Sequence, residues 1–264
     1  LRPYMDYNSE IDWEELKSFL EERVDLYNRP NFIEADPIAI PHRYILKEDI
    51  EIAAFLAATI AWGNRKIIVK NAHRMLDLFG ESPYDFVMHS NKKQQQPLAN
   101  FVHRTFQGED LLYFVKALRH IYTNHGGMEA LFVKHAQPHS MQYAITQFKS
   151  AFFEIPHPER CTKHVSDPGN NSSAKRLNMF LRWLVRTDKK GVDFGLWKEI
   201  KPSQLSIPLD VHSGNTARRL GLLQRKQNDA KAVEELDGIL RKMDKEDPVK
   251  YDFALFGLGI FEQF

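Results

Sequence analysis

Ile50-Glu51-Ile52-Ala53-Ala54-Phe55-Leu56-Ala57-Ala58-Thr59-Ile60-Ala61-Trp62 is apolar nearly all round. A helix of that kind has no solvent face and belongs at the centre of a larger helical fold. Gly63-Asn64 interrupts it, and a second, amphipathic helix is predicted over 66–79. Further out, residues 12–27 place Trp13, Leu16, Leu20, Val24 and Tyr27 on one stripe behind Ser9, a candidate cap. Helical spacing recurs at 83–89, 110–123, 128–135, 140–154, 174–186, 211–220, 230–243 and 248–260. In the last of these, Asp247 is the expected cap and Pro248 the first helical residue, where a missing N–H costs nothing. Residues 91–97 and 156–173 read as loops, and no alternating pattern is long enough for a substantial strand.

The chain is therefore expected to be all-α, with about ten helices in a single bilobal domain. One lobe would combine 1–45 with 204–264, and the other would span 46–203. A chain of 264 residues can bury a core of that size. There is no apolar run of membrane-spanning length, and from Leu1-Arg2-Pro3-Tyr4 no signal peptide is expected. With a single cysteine, Cys161, neither a disulfide framework nor a cysteine-held zinc or iron–sulfur cluster is expected, and a cytoplasmic setting fits.

Charge is balanced, with 36 basic and 35 acidic residues, but it is unevenly placed. Acidic residues crowd into 9–25 and 229–247, while 170–186 and 212–225 carry almost only positive charge. A basic face suited to phosphate is expected from the latter two segments.

Two helix starts stand out. Ser172-Ser173-Ala174-Lys175-Arg176-Leu177-Asn178 puts two cations in a first turn behind Ser172, a candidate cap. There they oppose the helix dipole at a cost of a few tenths of a kcal/mol each, up to about 1. This is either a solvated basic turn whose free N–H groups bind phosphate, or the setting of a nucleophilic lysine. Pro208-Leu209-Asp210-Val211-His212-Ser213 sets one carboxylate at the start of another helix. Asp210 can be an N-cap, can steady a positive charge forming beside it, or can do both with different oxygens.

The remaining candidates carry less. His135 and His139 have metal-ligand spacing, but Pro138 breaks the helix needed to align them. His73, His103, His120 and His125 are scattered, so no metal and no cofactor is expected. Trp13, Trp183 and Trp197 fall on apolar stripes and are expected in the core, whereas Trp62 is either core or a stacking surface. Gly126-Gly127 reads as a helix stop.

Lys175-Arg176-Leu177-Asn178, taken with Pro208-Leu209-Asp210-Val211-His212, resembles the helix-hairpin-helix DNA glycosylase superfamily. The Lys-x-x-Asn start resembles its endonuclease-three branch, and Asp-Val-His its 8-oxoguanine branch. Ala254-Leu255-Phe256-Gly257-Leu258-Gly259 is similar to the closing helix of adenine glycosylases. Trp62, Asn64 and Arg65 resemble the tip of the element that enters DNA. The chain departs from the superfamily ahead of the lysine. A Leu-Pro-Gly-Val-Gly hairpin is usual there, and Asp167-Pro168-Gly169-Asn170-Asn171-Ser172 stands here. Nearly the whole chain also resembles a bacterial family known only as a domain of unknown function, on Phe101-Val102-His103-Arg104-Thr105-Phe106, residues 175–186 and residues 254–260.

The glycosylase resemblance implies base excision repair by a monomer acting on DNA, or on RNA. The Lys175 amine would attack C1′ to form a Schiff base, with lyase activity following, and Asp210 would stabilise the transition state. Trp62, Asn64, Arg65, Arg176, Asn178 and His212 would meet the nucleic acid. The residues alone leave two other readings open: a glycosylase-like nucleic-acid-binding protein without catalysis, and an unrelated small-molecule enzyme.

Overall fold

A computed structural model describes residues 12–262 and 264. The chain is all-α. In order, its helices are α1 (Trp13–Tyr27), α2 (Lys47–Thr59), α3 (Arg65–Asp77), α4 (Pro83–His89), α5 (Lys92–Gln95), α6 (Gly108–Asn124), α7 (Met128–His135), α8 (Gln142–Phe152), α9 (Lys175–Val185), α10 (Val211–Arg219), α11 (Ala230–Met243) and α12 (Tyr251–Phe261). Short 3₁₀ turns join them, and Pro30, Pro37 and Pro41 each open one, since proline's fixed φ suits a first helical position. The β-structure described is one hairpin pairing Val102–His103 with Phe106–Gln107. Among the described residues no helix is long and apolar enough to cross a membrane.

Buried apolar side chains form two clusters. The larger surrounds α2, whose Phe55 ring has Phe114, Phe148, Phe152 and Phe180 at 5.4–5.8 Å between centroids. Asp49 and Glu51 are buried carboxylates on this helix, and Glu51 is the one set within its apolar stretch. The Tyr122 hydroxyl and Trp197 Nε1–H donate to Glu51 at 2.6 and 2.7 Å. Burial nevertheless pushes its carboxyl up from the ordinary range. The Trp197 contact anchors the segment after α9, which packs as a folded loop, with Phe194 stacked on His42 at 4.2 Å. The second cluster joins Leu16 and Leu20 of α1, Ala217 of α10, Val233, Leu236 and Leu240 of α11, and Leu255 and Leu258 of α12.

Four local expectations change. The candidate cap Ser9 lies outside the described residues, and Asp12 caps α1 through the N–H groups of Glu14 and Glu15. Trp13 is 49% exposed rather than in the core, because it sits at the helix start, ahead of the three buried positions Leu16, Leu20 and Val24. The expected loop 91–97 contains α5, made by a capping box in which Asn91 and Gln94 satisfy each other's backbone N–H groups. Pro248–Lys250 forms a 3₁₀ turn ahead of α12, and Asp247 does not cap it, since its carboxylate is held by Arg186.

Close packing of α1 on α12 depends on Gly257, where a Cβ would run into the Tyr27 ring. Gly257→Ala should therefore destabilise the protein by about 1–2 kcal/mol, since the overpacking cost exceeds the gain in helix propensity. Gly238 lies on the exposed side of α11 with open space around it, and Gly238→Ala should gain up to about 1 kcal/mol. Urea unfolding of both variants checks the opposite signs.

Candidate active site

The turn ahead of Lys175 is built by its own polar groups. Asp167 accepts from the Gly169 N–H, the Thr146 hydroxyl and the Asn170 amide, each at 2.9 Å. The N–H groups of Asn170 and Ser172 go to Asp167 O, and that of Asn171 goes to Pro168 O. Asn171 takes the left-handed conformation at φ 61°. The amides of residues 169–172 are thus consumed within the turn, so they form no cradle for a phosphate.

Ser172 does not cap α9. Its hydroxyl accepts the Ala174 N–H at 3.1 Å, and Ala174 itself is the N-cap residue, buried at φ 47°, ψ 35°. A non-glycine residue there costs about 1–2 kcal/mol. The Asn178 amide offsets part of this by donating to Ser173 O at 2.9 Å, which ties the turn to the helix behind it. Asn178 is fully buried, so it shapes the start of α9 rather than meeting a nucleic acid.

α10 starts beside α9. Asp210 Oδ1 accepts the N–H groups of His212 and Ser213 at 2.9 and 3.0 Å, and Ser213 Oγ accepts the Asp210 N–H. The Asn228 amide donates to Asp210 O, and Arg218 Nη2–H donates to Asn228 Oδ1 at 2.6 Å. The second carboxylate oxygen, Oδ2, lies 3.6 Å from Lys175 Nζ. That is an ion-pair separation rather than a hydrogen bond. The Lys175 and Asp210 side chains keep 27% and 20% of their surface. Asp210 is thus both cap and charge partner, one oxygen for each role. Both residues sit at positive helix ends, which stabilise the carboxylate and oppose the ammonium. His212, next along α10, is exposed.

A second carboxylate lies behind the pair and was not singled out from the sequence, although a lone charge in the apolar run Tyr251–Phe261 marked it. Asp252 is buried and paired with Arg182. Burial raises its carboxyl to about 6 against the Arg182 charge, and Asp210 raises it further while Lys175 lowers it.

Much of the positive charge expected on a face over 170–186 lies inside the fold. Arg182 and Arg186 are 4% and 3% exposed, and they pair with Asp193, Asp252, Asp247 and Asp188. Arg176 also turns inward. It donates to Thr59 O, and its guanidinium lies over the Trp62 ring at 5.0 Å. Burial lowers its pKa to about 10. Trp62 packs edge-on against His103 and stacks on His164, so in this arrangement it is no free stacking surface. A cavity of about 10 Å³, roughly one water, lies among Phe55, Thr59, His164, Val165 and Arg176. Arg65 is held by Asp36 at 2.7 Å and lies over the rings of Phe32 and Phe256, while Asn64 is exposed and caps α3. Of the residues selected from sequence, the fold brings together Lys175 with Asp210, and Arg176 with Trp62.

Burial lowers the His164 imidazole from 6.5 to about 4, against the attraction of Asp110. A depressed histidine stabilises the folded state above its unfolded pKa, and that contribution is lost as pH falls from about 6.5 toward 4. His164→Gln should therefore flatten the loss of stability between pH 7 and pH 5, as read by urea unfolding at both values.

No curated protein and no solved structure matches the chain. The family model described as "Protein of unknown function (DUF2400)" matches residues 36–261, which include both helix starts and Asp252. Most of the chain lies within that match, and the protein belongs to this family.

Proposed function

We propose that this protein is a DNA glycosylase with lyase activity, using Lys175 and Asp210 to excise a damaged base. The observation that carries the reading is the approach of Lys175 Nζ to 3.6 Å from Asp210 Oδ2 at two helix starts that both keep solvent access. Nucleophilic attack needs a neutral amine, and a carboxylate at that distance can hold the departing proton. Displacement of the base passes through a positively charged sugar, which the same carboxylate stabilises. The resulting Schiff base at Lys175 then allows the 3′ phosphate to be expelled. The damaged nucleotide would be flipped out of the stack, between a lobe formed by 1–45 with 204–264 and one formed by 46–203. The resemblance to the helix-hairpin-helix glycosylases supports the same roles. His212 and Asn64, both exposed, are the partners offered to DNA from the two sides. The protein would act as a cytoplasmic monomer.

A second reading keeps nucleic-acid binding and drops excision. It is favoured by the closed interior beside Arg176, where the cavity of about 10 Å³ is too small for a base.

Borohydride trapping on oligonucleotides carrying abasic sites and a panel of damaged bases separates the two. Wild type should give a covalent adduct, and Lys175→Gln should give none. Asp210→Asn keeps a good cap and should slow adduct formation by about 10²–10³-fold, the usual loss for a group that stabilises transition-state charge. Salt-dependent binding with no adduct and no base loss would leave the second reading. Absence of binding would overturn both.

A further inference from the structure

We propose that His120, His125 and Glu154 form a binding site for a zinc-class transition-metal ion, separate from the Lys175–Asp210 pair. The two imidazoles aim their Nε2 atoms at one atom, Glu154 Oε2, at 2.8 and 2.9 Å. One ligand atom from each of the three residues lies within 4.8 Å of the other two. Around a tetrahedral zinc with bonds of about 2.0–2.1 Å, donor atoms stand about 3.3–3.4 Å apart. A small outward turn of the carboxylate therefore opens space for the ion without moving a helix. Two imidazoles and one carboxylate match zinc, cobalt or nickel rather than calcium or magnesium.

The backbone sets this geometry. His120 lies four residues before the end of α6 at Asn124, and His125 is its C-cap residue. Gly126 and Gly127, at φ 74° and 97°, then turn the chain away, and Glu154 follows the end of α8. The Asn124 amide lies 2.9 Å from His120 Nδ1. The same nitrogen donates to His120 O at 3.1 Å, which holds the side chain over the end of α6 and keeps the ring's Nε2 turned toward Glu154. The imidazole side chains keep 20% and 23% of their surface and the carboxylate 55%, so an ion can reach the site with the fold intact. Three protein ligands leave a fourth position for water.

Titration of the intact chain with cobalt(II), followed by displacement with zinc against a chromogenic chelator, tests the site. The expected result is one ion per chain with the visible bands of four-coordinate cobalt, and a melting temperature that rises with zinc. His120→Ala, His125→Ala and Glu154→Gln should each weaken binding by more than about tenfold, since loss of even an outer-shell partner costs that much. Each variant should stay folded without metal, with a melting temperature that no longer rises with zinc. Absence of stoichiometric binding, or binding that survives these substitutions unchanged, would overturn the proposal and leave the cluster as two histidines hydrogen-bonded to one carboxylate.

Discussion

Two buried guanidinium groups, one on α9 and one at its end, hold the candidate site in place. Arg182 on α9 and Arg186 at its C-cap project into the interior, where Asp193, Asp188, Asp247 and Asp252 surround them. Removing one partner from such a group costs about 3–5 kcal/mol, because the remaining charge is left dry and uncompensated. The pairing fixes α9 against α12, and α12 packs on α10. The starts of α9 and α10 are thereby fixed relative to each other. Lys175 and Asp210 meet because the charges of Arg182, two turns further along α9, and of Arg186 at its end are locked to carboxylates 70 and 61 positions away in sequence.

The same arrangement concentrates unfavourable local choices at one place. Ala174 occupies a left-handed conformation, Lys175 places a cation at a positive helix end, and Asp252 is buried within reach of the charges of both Asp210 and Lys175. A protein selected only for stability has no use for this combination. The surrounding hydrogen bonds, from Asn178 to Ser173 O and from Asn228 to Asp210 O, over-determine the turn and make the strain tolerable. Asp210 shows how one side chain serves two purposes. Its Oδ1 satisfies two helix N–H groups while its Oδ2 remains directed at an amine.

Much of the helical framework was legible because its signals are local. Apolar spacing located α4, α7 and α11 to the residue, and the all-round apolar stretch around Phe55 identified the central helix. Helix ends were less legible wherever the decisive hydrogen bond is long-range. Asp247 looks like a cap beside Pro248, yet Arg186 claims it from 61 positions away. The polar segment after Ser90 looks like a loop, and a reciprocal capping box makes it a helix.

The sequence by itself determined the all-α class, the two unusual helix starts and the residue types at them, since spacing and capping act over a few positions. Only the tertiary structure decided which charges face water. Lys175, Arg176 and Arg182 lie on α9 and Arg186 is its C-cap residue, and the four read alike as a basic segment. One keeps solvent access beside Asp210, one packs on Trp62, and two are interior ion pairs. The same holds for His120 and His125, scattered until Glu154 is brought between them. The physical reason is common to both cases. A buried or converging polar group is defined by its partners, and those partners arrive from distant parts of the chain.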